Sequence, residues 1–128
     1  GIGRGQLRVL DERVVSRQNI FRQYSQAFKE YHFLEMMPEI KNGMSTHWLS
    51  TLLINPKYIS LRPEYVIEQL KKYHIEARRT WKPMHAQPLF SGFAYYPHQV
   101  DFSVSDYLFQ QGICLPSGSN LSSRDIDR

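Results

Sequence analysis

Five consecutive residues, Trp81-Lys82-Pro83-Met84-His85, put an indole, an ammonium and an imidazole on backbone that Pro83 stiffens. Loops held by a rigid scaffold are where binding residues concentrate. A cation and an imidazole beside one aromatic surface suit an anionic, ring-bearing ligand such as a nucleoside diphosphate. The same stretch has a plain packing reading, in which Trp81 and Met84 plug the core and Lys82 carries its ammonium into water. Composition leaves both open.

Elsewhere the chemistry-bearing residues are sparse. The other histidines, His32, His47, His74 and His98, read as surface or turn residues, and none pairs with a Cys or His at metal-ligand spacing. The single Cys114 cannot anchor a zinc site, so no metal site is expected. There is no nucleophile elbow, no Walker-type loop and no Gly-x-Gly-x-x-Gly after a strand. Gly1, Gly3 and Gly5 precede a helix and could present amides to a phosphate, but no strand leads into them, and a flexible helix entry is the plainer reading. No residue is singled out as catalytic.

Whole-chain properties narrow the classes. The chain has 128 residues, the length of one small domain or part of a larger one, and 41% hydrophobic content argues for folded material. The formal charge of +4 is mildly basic, and the ten arginines are scattered without a run. A dedicated nucleic-acid face is normally clustered, so no nucleic-acid partner is expected. With one cysteine no internal disulfide can form, and a reducing cytoplasm is the simplest setting. No apolar stretch reaches the roughly 18 residues of a membrane helix. Gly1 to Gln6 reads as neither a signal nor a transit peptide, and both ends read as cut.

These residues need elements to position them. Leu7, Leu10, Val14, Phe21, Tyr24, Phe28 and Tyr31 recur at threes and fours, interrupted only at Arg17, predicting one long amphipathic helix from Gln6 to about Glu35, ended by Met36-Met37-Pro38. After the Asn42-Gly43 turn, His47 to Ile54 reads as a strand, apolar on both faces and therefore central in its sheet. Arg62-Pro63-Glu64 opens a second helix with Tyr65, Val66, Gln69-Leu70 and Tyr73 inward. His74–Arg78 reads as a second strand, Val104–Gln111 as a helix ended by Gly112, and Ile113–Pro116 as a third strand. Asn120 or Ser122 would cap a last helix. The alternation predicts an α/β (α+β) layer: a long first helix over residues 1–35, then, over residues 42–128, a small mixed or antiparallel three-stranded sheet with helices on one side.

At this point the residues resemble the sugar aminotransferases of the DegT/StrS type. The resemblance rests on Gly3-x-Gly5-Gln6-Leu7 with Leu10-Asp11 and Arg17, and on Trp48-Leu49. It rests above all on Arg78 followed by Trp81-Lys82-Pro83-Met84-His85-x-Gln87-Pro88, then Tyr95-Tyr96, then Gly112-Ile113-Cys114-Leu115-Pro116-Ser117-Gly118-Ser119-Asn120-Leu121. It runs in order across essentially the whole chain. One departure stands out: Arg79-Thr80 occupies the place where relatives usually carry Pro and an aliphatic residue.

The resemblance implies a homodimeric cytoplasmic enzyme of two domains per subunit, of which this chain would be the small C-terminal one. Such enzymes use pyridoxal phosphate to move an amino group, usually from glutamate, to the keto carbon of a UDP-linked 4-keto sugar. The partners implied are the UDP-sugar, glutamate, the chain's own large domain and a second subunit. By its match to the family loop, Trp81 would be a wall of the nucleotide-sugar pocket, with Lys82 and His85 as polar contacts, as to the diphosphate. The Schiff-base lysine lies, in the family, before the region that matches this chain. None of Lys29, Lys41, Lys57, Lys71, Lys72 and Lys82 has that lysine's surroundings, so no cofactor is expected on these residues alone. The alternative is a stand-alone, non-catalytic binding module that shares the fold.

Overall fold

A computed structural model describes residues 1–128. Five helices, α1 (Ile2–Leu7), α2 (Leu10–Phe28), α3 (Pro63–Lys72), α4 (Val104–Gln111) and α5 (Ser123–Ile126), accompany four strands. The strands are β1 (Leu34–Met36), β2 (Ser50–Ile54), β3 (Arg78–Arg79) and β4 (Gly112–Leu115). They form one antiparallel sheet in the order β1-β2-β4-β3, with β2 in the interior as expected.

Register sorts the side chains by face, because residues directly opposite in an antiparallel pair point the same way. Leu34 faces Ile54, Met36 faces Leu52, Leu52 faces Ile113 and Ser50 faces Leu115. Those residues build one side of the sheet. Ile20 and Tyr24 of α2 close over it with Leu52, Ile54, Ala77, Ile113 and Leu115, and Val66, Ile67 and Leu70 of α3 pack against the same cluster. The helices that bury the core therefore lie on one side, as the pattern predicted. Thr51, Leu53, Cys114 and Arg78 occupy the opposite side.

Several expectations are corrected, among them the inward placing of Tyr65 and Tyr73, which are 54% and 68% exposed. The long helix is two helices broken at Arg8-Val9, and it stops at Phe28. Leu34-Glu35-Met36 pairs with β2 instead, since its period-2 alternation places Leu34 and Met36 on the core side, and the sheet gains a fourth strand.

His47-Trp48-Leu49 does not belong to β2. His47 takes a left-handed φ of 44°, fully buried, with its ring stacked 3.7 Å from Phe21 and Nε2 2.7 Å from Glu39. A non-glycine residue in that region is strained. His47 is thus a core residue and not the surface residue its sequence setting suggested.

His74 likewise is no strand residue. It has φ of 58° and ends α3: its N–H donates to the Lys71 carbonyl and that of Ile75 to the Leu70 carbonyl, both at 3.0 Å. That pair of bonds is the Schellman arrangement, with histidine where glycine is usual. The second strand shrinks to Arg78–Arg79.

The remaining helices start where the sequence says they should. Pro63 opens α3 with Glu64 in its first turn, and Ser103 caps α4 by accepting from the Asp106 N–H. Ser122 and Asp125 form a reciprocal capping box on α5. Gly112 does not end α4 through a left-handed turn; it is already the first residue of β4, with φ of −90°. A Cβ there would meet the Leu108 carbonyl and the Thr80 hydroxyl well inside contact distance.

Candidate functional site

The loop carrying Trp81, Lys82 and His85 leaves the sheet at β3, and its base is bolted to the C-terminal end of α4. Arg79 donates to the Phe109 carbonyl, lies 4.4 Å over the Phe109 ring and pairs with Glu64 of α3. Thr80 Oγ1 donates to the Leu108 carbonyl at 2.7 Å. The last carbonyls of a helix have no partner within it, and two side chains supply donors here. The departure at Arg79-Thr80 is therefore a structural anchor for the loop. Burial lowers the Arg79 pKa from its ordinary value.

From that anchor the chain folds into two short 3-10 turns, Met84–Ala86 and Pro88–Phe90, with Pro83 buried beneath. His85 Nε2 lies 2.9 and 3.0 Å from the two carboxylate oxygens of Asp106, and Tyr95 stacks on the imidazole at 3.6 Å. Tyr95 in turn shares hydrogen bonds with Ser103 (2.8 Å) and Ser105 (3.3 Å) through its hydroxyl. The Ser103 hydroxyl holds the Asp106 carboxyl below its usual range against the opposing effect of burial, and His85 lowers it further by a lesser amount. His85 is thus fixed in orientation by a carboxylate and a ring, with Nδ1 left for another partner.

Trp81 goes the other way. It is 60% exposed and stacks on Trp48, itself 61% exposed, with ring centroids 5.6 Å apart and planes 24° apart. This pair borders a cleft of about 520 Å³ whose floor includes Arg78, Cys114 and Gly118. Tyr95 and Asp106 line a different hollow of about 410 Å³. Lys82 is exposed, and its ammonium has no hydrogen-bond or ion-pair partner. The three predicted residues share one loop, but Trp81 and His85 serve different surfaces.

Sequence reasoning missed Trp48, Tyr95 and Asp106 as members of this site. Trp48 was absorbed into a predicted strand. Asp106 carried only the signal of an acidic residue three positions after a capping serine. Its pairing with His85, 21 residues away, is tertiary and leaves no trace in local spacing.

No group of three or more His, Cys, Asp and Glu side chains could hold a metal ion. Pyridoxal phosphate needs a lysine kept in a dry pocket where its amine is nucleophilic. All six lysines of this chain are exposed on the described residues. No helix is long and apolar enough to cross a membrane.

Comparison with known proteins bears on the whole chain. The sequence profile of the DegT/DnrJ/EryC1/StrS aminotransferase family matches residues 1–128. EpsN of Bacillus subtilis (strain 168), provisionally named a pyridoxal phosphate-dependent aminotransferase, is 43% identical over 128 residues, covering 100% of this chain and 32% of that protein. GDP-perosamine synthase of Caulobacter vibrioides is 27% identical over 128 residues, covering 99% of this chain and 33% of that protein. The crystal structure of the aminotransferase TlmJ from Streptoalloteichus hindustanus superimposes with a TM-score of 0.80 at 20% identity, over 98% of this chain and 32% of that one, a likeness of fold. The chain spans about a third of the length of the curated relatives it matches.

Proposed function

The chain belongs to the DegT/DnrJ/EryC1/StrS aminotransferase family, and from that membership we propose that it forms the substrate-facing, domain-closing part of a pyridoxal-phosphate-dependent sugar aminotransferase. The whole protein moves an amino group from glutamate to a nucleotide-linked 4-keto-6-deoxy sugar, for surface polysaccharide or glycan synthesis. The observation that carries the reading is the family match along all 128 residues, with 43% identity to EpsN over the same span. The product in the name GDP-perosamine synthase, a nucleotide-linked sugar, supports the substrate class.

In this reading the Schiff-base lysine belongs to the part of the relatives' length that this chain does not span. The cofactor supplies an electron sink there. The 128 residues bind and orient. Trp81 forms a wall, Lys82 offers an unpaired ammonium, and His85 offers an imidazole whose direction Asp106 fixes. The assembly is a cytoplasmic homodimer whose small sheet closes over the substrate.

The test of the site is made in the full-length protein that contains this chain. His85→Ala and Lys82→Ala should each raise KM for the UDP-sugar while KM for glutamate stays as it was. Unchanged values for the sugar nucleotide in both variants would remove these residues from the site. A stand-alone binding module predicts instead that no amination accompanies the chain in any form.

A further inference from the structure

Trp48 stands between two buried residues, and the chain around it breaks the alternation that a strand would impose. Continued backward through position 48, β2 would put Trp48 on the core face with Ser50, because alternate residues share a face. The chain bends at Trp48 and Leu49 instead, and the indole comes out 61% exposed beside Trp81 while Ser50 stays fully buried. The departure begins at His47, whose left-handed φ of 44° takes the chain out of the extended form.

Helix α2 holds this turn at successive points. Gln18 Nε2 donates to the Ser45 carbonyl at 2.9 Å, Phe21 stacks on the His47 ring, and Arg17 donates to the Trp48 carbonyl. Within the turn the His47 N–H donates to Ser45 Oγ at 3.1 Å, and Glu39 meets Nε2 of the ring from outside. Beyond Trp48 the Ser50 N–H donates to Ser117 Oγ at 2.7 Å, so the chain is pinned on both sides of the indole. His47 carries two costs in this place: a strained φ, and an Nδ1 buried without a partner. Costs of this kind gather where a structure fixes something functional.

We propose that His47 is a positioning residue, whose buried and stacked ring sets Trp48 against Trp81 and so holds up the aromatic wall of the loop site. His47 itself touches no substrate. The inference rests on the reading of Trp81 as a wall of the sugar-nucleotide pocket and adds what keeps that wall in place. A side chain at a site keeps its geometry when the residues behind it are locked by packing and hydrogen bonds. Here the lock is Phe21, His47 and Glu39, and it acts on the Trp48 side of the wall, whereas the His85–Asp106 contact fixes the other surface of the loop.

The test uses the full-length protein that contains this chain, grown with fluorotryptophan. In its fluorine NMR spectrum the two signals are identified by their loss in Trp48→Phe and Trp81→Phe. His47→Ala should move both signals, and Glu39→Ala should move them the same way by less. The Glu39 side chain is 60% exposed, so its removal leaves the core intact and decides the matter alone should His47→Ala fail to fold. Ile54→Val trims the core away from the 45–48 turn; it should lower the unfolding midpoint and leave both signals where they are. In His47→Ala, KM for the UDP-sugar should rise about tenfold, less than the roughly hundredfold loss that about 1 Å of misplacement can bring. Its kcat and its KM for glutamate should hold, the pattern of lost binding rather than lost chemistry. Signals unmoved in both His47→Ala and Glu39→Ala, or moved as far by Ile54→Val, would overturn the proposal whatever the kinetics. Signals that move while KM for the UDP-sugar stays as it was leave the positioning standing, and it is the reading of the wall as part of the substrate site that fails.

Discussion

His85 Nε2 meets both carboxylate oxygens of Asp106 across 21 residues of sequence, and this clasp closes the aromatic loop 81–102 onto the first turn of α4. The loop carries Leu89, Phe93, Tyr96 and Val100 exposed, so burial of apolar side chains contributes little to holding it. Asp106→Ala should therefore speed proteolytic cleavage within residues 88–102 while the unfolding midpoint of the rest moves little. Limited proteolysis with mass mapping reads this directly. Equal cleavage rates would show that the clasp does not hold the loop.

The same clasp fixes a pH dependence. The Ser103 hydroxyl, with a lesser contribution from His85, keeps the Asp106 carboxyl below its ordinary value near 4 despite the opposing effect of burial. A carboxyl with a lowered folded-state pKa stabilises the fold above its unfolded value and loses that contribution as pH falls through the folded one. Loop protection should accordingly decline on acidification below about pH 4, and Asp106→Asn should flatten that decline.

Tyr24 gives a dependence at the other end of the scale. Burial pushes its phenol up to about 12, and its hydroxyl donates to the Pro116 carbonyl at 3.0 Å. A raised folded-state value means the contribution is whole below the unfolded value near 10 and is lost as pH rises toward 12. An ultraviolet titration of the eight tyrosines should show one ionising late, and Tyr24→Phe should remove that phase.

Two substitutions probe the sheet that positions the site. Ile113 has no exposed surface at the centre of the core, and Ile113→Ala should cost about 2–5 kcal/mol. Gly112→Ala adds a methyl against backbone at the join of α4 and β4, and should cost about 1–3 kcal/mol by overpacking. Urea unfolding checks both, and a neutral Gly112→Ala would mean the Leu108–Thr80 contact yields freely.

Much of this architecture was legible. The proline at the start of α3, the serine caps of α4 and α5 and the central place of β2 follow from local chemistry, and local chemistry sits in the sequence. What escaped was set by partners distant along the chain. Leu34–Met36 continues a helical stripe until β2 offers it backbone partners, and His47 looks like a strand residue until Phe21 and Glu39 take its ring. The site divides in the same way. The five-residue run from Trp81 to His85 was visible as a cluster of chemistry. Its separation into two surfaces depends on Trp48 and Asp106, neither of which is near it in sequence.

The most direct test of the central claim follows nitrogen. The full-length protein containing this chain is incubated with 15N-labelled glutamate, pyridoxal phosphate and a UDP-linked 4-keto-6-deoxy sugar, and the sugar nucleotide is analysed by mass spectrometry. The account predicts a product carrying one 15N amino group on the sugar. A sugar nucleotide recovered without the label, whether unchanged or dehydrated, would contradict it.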